Sequence, residues 1–443
     1  MKKYPKYKDS GVEWIGEIPD GWVLKRLKYI SFVRGSNVDK HIFEEEKQVL
    51  LCNYTDVYYN EKIDNSTMLS LGSCSEEEFK KFQIKQGDVI ITKDSETPDD
   101  IGIPCFISEE LTNTICGYHL SMITPDLTHV LGGYLFRQFQ TERIQQHYEV
   151  NSFGITRYGL GKSIIENTDI ILPPLPEQTQ IFEFLDQKTT IIDDLIQKKY
   201  RKIELLKEHR TSIINHTVTK GLNPDVKMKD SGVEWIGDIP EDWVISKFKY
   251  DSSIPVKYGL NISGDSYKEE GIRFIRITDL TENGDLIETD GKYLDENQVP
   301  NEFLLNKFDV LFCRSGHTVG KSYLHLNEGK YTSGGYLVRF NFRNQTESKF
   351  IFYVGKTDFY WDWIKLNSVI STIENVNGDK YQNFQYPKPP LQEQNQIVQY
   401  LDQKTNEIDT TITLENKKID LLKEFRQSLI SEVVTGKIDV RKN

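Results

Sequence analysis

The sequence predicts an α/β (α+β) chain: two globular domains of one fold, joined by long antiparallel coiled-coil helices and related by a pseudo-twofold axis. Three observations predict it. Residues Lys8–Tyr29 (KDSGVEWIGEIPDGWVLKRLKY) return as Lys229–Tyr250 (KDSGVEWIGDIPEDWVISKFKY), an offset of 221, with Lys8 to Gly16 identical. Residues Pro173–Thr219 return as Pro389–Thr435 at an offset of 216 with no gap. After Pro176 the first of these runs lacks Pro and Gly, which marks one long helix. The chain is therefore a tandem duplication of about 220 residues, far longer than a solenoid repeat.

The predicted boundaries follow the repeat. An opening segment covers 1–22, a globular region 23–172 and a helical region 173–222; a second opening segment covers 223–243, a second globular region 244–387 and a second helical region 388–443. In the opening segment, Trp14, Ile15, Ile18 and Trp22 stand beside turn-forming Gly and Pro. Large apolar groups in that setting predict packing against a neighbouring element.

The globular regions read as strand-rich. Val49–Tyr59 (VLLCNYTDVYY) and Gly87–Thr92 (GDVIIT) are β-branched and aromatic runs, and Tyr134–Tyr148 has helical spacing. Gly271–Leu280, Phe308–Cys313 and Ser348–Ile364 answer these three in the second half, and Val150–Tyr158 lines up with Leu366–Glu374. The scaffold is shared while most other residues differ.

In the helical regions, apolar residues recur at matched positions: Ile181/Ile397, Leu185/Leu401, Ile192/Ile408, Ile196/Ile412, Ile203/Ile419, Leu206/Leu422 and Ile213/Leu429. The spacing approximates 3.5 residues, the coiled-coil period. A helix of about 44 residues is about 65 Å long. Each helix has one narrow apolar stripe to hide, and antiparallel pairing of the two hides both. Lys202 and its polar neighbours are expected on a solvated or partner-facing side. Proline at the start suits a helix entrance.

Composition bounds the function. At 443 residues, 37% hydrophobic, with mean hydropathy −0.52, the chain is too long for one core and ordinary for a soluble protein. No run of eighteen apolar residues marks a membrane span, and the first residues lack a signal h-region. Five cysteines without a C-x-x-C spacing suggest neither a zinc knuckle nor a disulfide framework, and fit a reduced cytoplasm. A net charge of −12 argues against strong autonomous nucleic-acid binding, while leaving room for a local basic surface.

No catalytic motif emerges. Ser315–Ser322 (SGHTVGKS) places Gly316 one residue too close for a P-loop, and Tyr158–Ser163 has Thr156 where the first glycine belongs. The proline pair lacks the preceding Asn or Asp of an amino-methyltransferase motif. H-E-x-x-H, G-x-S-x-G and G-x-G-x-x-G are absent. The eight histidines are scattered and the glutamate runs read as solvated faces.

What remains is a contrast. Helices and opening segments match between halves, while the globular regions diverge. Matched surfaces suit two copies of one partner, and diverged surfaces on one scaffold suit two different targets. The WIGxIPxxW segment, the Asp-Val-[Ile/Leu] strand followed by a loop with Lys93 or Arg314, and P-P-L-x-E-Q-x-x-I-x-x-x-L-D-x-K-x-x-x-I-D resemble the specificity subunit of Type I restriction-modification systems. The resemblance covers nearly the whole chain. It implies a prokaryotic cytoplasmic protein with no catalysis of its own. It also implies two target recognition domains reading a split, asymmetric site in double-stranded DNA. The helices are implied to act as spacer and docking surface for two methyltransferase (modification) subunits, joined by two restriction (translocase and nuclease) subunits. S-adenosylmethionine, ATP and Mg are then expected on those partners, and no cofactor or metal on this chain.

Candidate DNA contacts are donors and acceptors at strand ends or in loops. In the first domain these are Arg34, Asn37, Asn53, Tyr54, Lys93, Asp94, Arg157 and Tyr158; in the second they are Lys257, Tyr258, Asn261, Arg276, Arg314, Ser315, His317 and Thr372. Asn53 aligns with Arg276, and Lys93 with Arg314. Two other readings stay open on the residues alone: a duplicated scaffold binding protein or carbohydrate through a coiled-coil spacer, and an enzyme whose active residues are not contiguous.

Overall fold

The computed structural model describes residues 2–13, 15–370 and 374–441. They form two compact units: Met1–Lys199 with Asn416–Asn443, and Tyr200–Glu415. Each unit thus contains the first part of one long helix and the last part of the other.

In the first unit a five-stranded sheet runs Ser31–Gly35, Leu120–Pro125, Val89–Thr92, Pro104–Ile107, Lys62–Ile63, with only the last pair parallel. A three-stranded sheet runs Thr114–Cys116, Lys47–Cys52, Ser70–Cys74. Val49, Leu51, Ile90, Cys105, Ile115 and Met122 fill the core they share. The strand Val23–Arg26 pairs with Asp169–Leu172, so the globular region begins and ends on one ribbon.

The second unit repeats the plan with shorter strands. Its four-stranded sheet runs Lys257–Tyr258, Leu337–Phe340, Val310–Cys313, Ser322–Leu324, and its three-stranded sheet runs Lys292–Leu294, Ile272–Ile275, Tyr331–Ser333. Val244–Lys247 pairs with Gln385–Lys388 as the closing ribbon.

Two sequence expectations change. Val49–Tyr59 is not one strand. The strand stops at Cys52, and Asp56 accepts the Asn53 backbone N–H at 2.8 Å, starting a short helix over Tyr54–Tyr59. Tyr134–Tyr148 is not one helix but parts of two, Gly132–Phe139 and Glu142–Asn151. Thr141 Oγ1 donates to Gln138 O at 2.7 Å at the break, and Thr357 makes the same bond to Val354 O at 2.7 Å between Gln345–Val354 and Asp358–Asn367. The same two carbonyls accept the threonine backbone N–H at 3.1 Å, so each break is a tight turn that the hydroxyl bond reinforces.

The long helices span Leu175–Lys220 and Leu391–Val434. The P-P-L-x-E-Q motif builds their starts. Gln178 is fully buried, donates to Pro173 O at 2.9 Å and His129 O at 3.0 Å, and accepts from Leu131 N at 2.9 Å. Gln394, also buried, donates to Pro389 O at 2.8 Å. The motif glutamates take the opening-segment tryptophans: Trp22 Nε1 donates to Glu177 at 3.2 Å, and Trp243 Nε1 to Glu393 at 2.9 Å. Two motifs about 150 residues apart in sequence are halves of one joint.

Most of the predicted seam is buried: Ile181, Leu185, Ile192, Ile196, Ile203, Ile397, Leu401, Ile408, Ile419 and Leu429. Leu206, Ile213, Ile412 and Leu422 are only half-buried. At the end of the first helix Ile214 and Val218 are the buried apolar residues, packed with Val233, Ile236, Ile239 and Trp243. A helix drifts about 20° per heptad from a 3.5-residue repeat, and the buried stripe has moved to the next residue by that point. Lys202 is not simply solvated, because its Nζ pairs at 2.9 Å with Glu415, which is buried.

Candidate nucleic-acid interface

In the first unit the candidates gather where the central strand ends. Lys93 follows the strand Val89–Thr92, and its N–H donates to His119 O at 2.9 Å. Lys93 Nζ donates to Asp94 Oδ2 at 2.9 Å, and His119 Nδ1 lies 2.6 Å from the same oxygen. Burial alone raises the Asp94 carboxyl, but the bonds from Lys93 and His119 outweigh it and hold the carboxyl below its usual range. Tyr158–Gly159 pairs with Asp94–Ser95 and carries exposed Arg157 to the same place. Gly117 N donates to Cys52 O at 2.8 Å, which seats Asn53 and the following Tyr54 beside this corner. Burial raises the Tyr54 hydroxyl above its ordinary pKa, with Asp94 and Arg157 near enough to add opposing effects.

Two candidates have their side chains bonded elsewhere. Arg34 donates to Lys81 O and Thr124 Oγ1, both at 3.2 Å, and Asn37 to Glu78 at 3.3 Å. Both hold the helix Glu76–Phe82, Arg34 from the edge strand Ser31–Gly35 and Asn37 from the segment just after it.

The second unit builds the equivalent corner from different residues. Arg314 N donates to Tyr336 O at 2.9 Å, the counterpart of the Lys93–His119 bond. Its guanidinium lies 4.9 Å from the Tyr258 ring centroid, and the Tyr258 hydroxyl accepts from Gly378 N at 2.8 Å. Arg276 stands where Asn53 stands in the first unit: its N–H donates to Asp279 at 3.0 Å, and its guanidinium adds a bond of 2.6 Å to the same carboxylate. Asn261 and Arg276 line one open cleft. His317 is exposed on the next turn, Lys257 pairs with Glu302 at 3.4 Å, and Ser315 is buried. Thr372 lies outside the described residues.

Four residues outside the candidate set stand at these corners: Tyr118 and His119 in the first unit, Gly335 and Tyr336 in the second. A signal for them existed. GYHLSMI (Gly117–Ile123) and GGYLVRF (Gly334–Phe340) both place glycine just before a buried strand. Among the described residues no group of three or more His, Cys, Asp or Glu could hold a metal ion, and no helix is long and apolar enough to cross a membrane.

Two diverged corners on one repeated frame are the geometry of a double reader, and the family comparison decides which. The description "Type I restriction modification DNA specificity domain" matches residues 19–205 and again 240–424. The chain belongs to this family. It is a Type I specificity subunit with two target recognition domains, and the reading as a scaffold for protein or carbohydrate has no support. It is 22% identical to the Type I restriction enzyme MjaVIII specificity subunit of Methanocaldococcus jannaschii, covering 96% of this chain and 94% of that one. It is 24% identical to the MjaIX specificity subunit of the same organism, covering 96% and 95%. The Type I restriction enzyme EcoKI specificity subunit of Escherichia coli matches at 25% over 46% of this chain and 44% of its own. The fold is that of a chain solved in a study of Type I R-M complex assembly (TM-score 0.73, 17% identity, 95% and 99% covered). It is also that of the HsdS subunit from Thermoanaerobacter tengcongensis (TM-score 0.54, 18% identity, 95% and 98% covered).

Proposed function

We propose that the two target recognition domains read the two halves of a split, asymmetric site in double-stranded DNA, one domain per half. The observation that carries this is the pair of corners. The backbone bonds Lys93–His119 and Arg314–Tyr336 are the same, at 2.9 Å each, while the side chains they present differ. A cation at a strand end can bind phosphate or the O6/N7 edge of guanine, and changing its neighbours changes the sequence read.

The helices are the docking surface for two methyltransferase subunits. Leu205 and Leu421, at matched positions, stay 48% and 53% exposed. A leucine left exposed twice at the same place on a repeated helix suits two copies of one protein partner. Helices of 46 and 44 residues, about 65–70 Å long, set the gap between the half-sites. Two restriction subunits join this core in the cytoplasm. S-adenosylmethionine, ATP and Mg belong to the partner subunits, and this chain contributes no catalytic group.

The net charge of −12 then has a physical reason, since the methyltransferase subunits complete the basic clamp around DNA. Electrophoretic shift of a cognate duplex tests this. The chain with its methyltransferase subunits is expected to retard DNA, and the isolated chain only weakly and in low salt. Tight, salt-insensitive binding by the isolated chain contradicts it.

A further inference from the structure

The two corners share a frame but fill it differently at one pair of residues. Gly117, Tyr118 and His119 occupy the backbone positions of Gly334, Gly335 and Tyr336, because Gly117 N donates to Cys52 O and Gly334 N to Ile275 O, at 2.8 and 2.9 Å. In the first domain both side chains are large. The Tyr118 and His119 rings lie 3.6 Å apart between centroids, and His119 is fixed to Asp94 at 2.6 Å. His119 also has φ +68°, a left-handed conformation that a ringed residue adopts at a cost. Tyr118, held against this buttress, keeps 42% of its surface exposed.

In the second domain the Tyr118 position is Gly335. A Cβ there would sit 2.0 Å from Asn261 Oδ1, so glycine is what lets Asn261 lie across this place. The result is an open cleft of about 640 Å³, lined by Asn261, Tyr267, Phe274, Arg276 and Tyr336 among others. Tyr336 stands at its rim, 58% exposed. Core packing does not account for two aromatic rings left this open beside the Lys93 and Arg314 positions.

We propose that these positions are specificity determinants: domain 1 meets its half-site with the Tyr118 ring braced by His119, and domain 2 admits a base edge into the Asn261 cleft beneath Tyr336. The Asn261 amide, with one donor and one acceptor side, matches the N6/N7 edge of adenine, so the domain 2 half-site carries an adenine read there. This rests on the reading that each domain contacts one half of a split DNA site.

The test uses the full complex with its methyltransferase subunits. Methylome sequencing first defines the site of the unaltered chain. Fluorescence anisotropy then measures affinity for that site and for duplexes with single-base changes in either half. Tyr336→Ala is expected to lower the cognate preference about tenfold in one half only, and Tyr118→Ala in the other half only. Asn261→Ala is expected to relax one adenine position in the Tyr336 half. Should an alanine variant fail to assemble, Tyr336→Leu and Tyr118→Leu keep apolar bulk and carry the same expectation. Preferences unchanged in both halves overturn the inference and leave the two-domain reading standing. An unaltered complex with no split site overturns the reading itself.

Discussion

Arg426 donates from Nε and Nη2 to the two carboxylate oxygens of Asp193, at 2.8 and 3.1 Å. The residues that answer them at an offset of 216, Arg210 and Asp409, pair as well, with Arg210 Nε 3.0 Å and 3.2 Å from the two oxygens. One ion pair is thus written twice, once in each unit, and each copy joins the first half of one long helix to the last part of the other.

Both pairs are partly solvated, so each coupling is expected at about 1 kcal/mol in a double-mutant cycle. Arg426 also donates to Glu61 at 2.5 Å. Arg426→Met is therefore expected to cost more than Arg210→Met in urea unfolding. Equal costs would show that Glu61 adds nothing.

The tryptophan–glutamate joint gives a second prediction. Trp243→Phe keeps an aromatic ring in the core but leaves Glu393 without the indole N–H, at a cost of about 1–2 kcal/mol. Trp22→Phe is expected to cost less, because Glu177 still takes the Tyr4 hydroxyl at 2.6 Å. Thermal melting of the two variants checks the order.

These joints show what the sequence could and could not reveal. The repeat offsets made the helices, the opening segments and the doubled fold readable. The reason for the motifs was not readable, because Trp22 and Glu177 meet only once the chain has folded. Asn53 looked like part of a strand since its neighbours are β-formers; the Asp56 carboxylate overrode them locally. The candidate corner was half legible. Lys93 and Arg314 stood out as charges after a strand. Arg34 and Asn37 looked alike on sequence grounds, and only their bonds to Lys81 and Glu78 show them holding a helix. His119 looked like one of eight scattered histidines, and the backbone bonds that bring it and Tyr336 to their corners cross between strands.

The second domain carries a pH dependence. Burial, and then the Arg339 guanidinium, push His325 down to about 4. Its Nδ1 sits 3.0 Å from the Tyr323 hydroxyl, which a neutral ring can accept. The unfolded histidine titrates near 6.5. Its contribution to stability is complete above that value and is lost as pH falls from about 6.5 through about 4. The loss is expected to be about 3 kcal/mol. His325→Asn, with nothing to titrate, should flatten this part of the melting-temperature profile relative to the unaltered chain.

Arg314, its guanidinium over the Tyr258 ring, holds the place in the second corner that Lys93 holds in the first. If it reads guanine, Arg314→Ala costs about 1–3 kcal/mol of binding and relaxes one base of one half-site. A phosphate contact weakens all sequences alike and lowers the salt slope by about one. Affinities measured at two salt concentrations on cognate and altered duplexes separate the two.

The central claim is that one chain reads two unlike half-sites with two domains on a repeated frame. Methylome sequencing of cells carrying this chain with an active cognate methyltransferase subunit tests it most directly. The expected result is one new methylated motif, split into two different halves by a fixed gap. A continuous motif, a split motif with identical halves, or no new motif would contradict the claim.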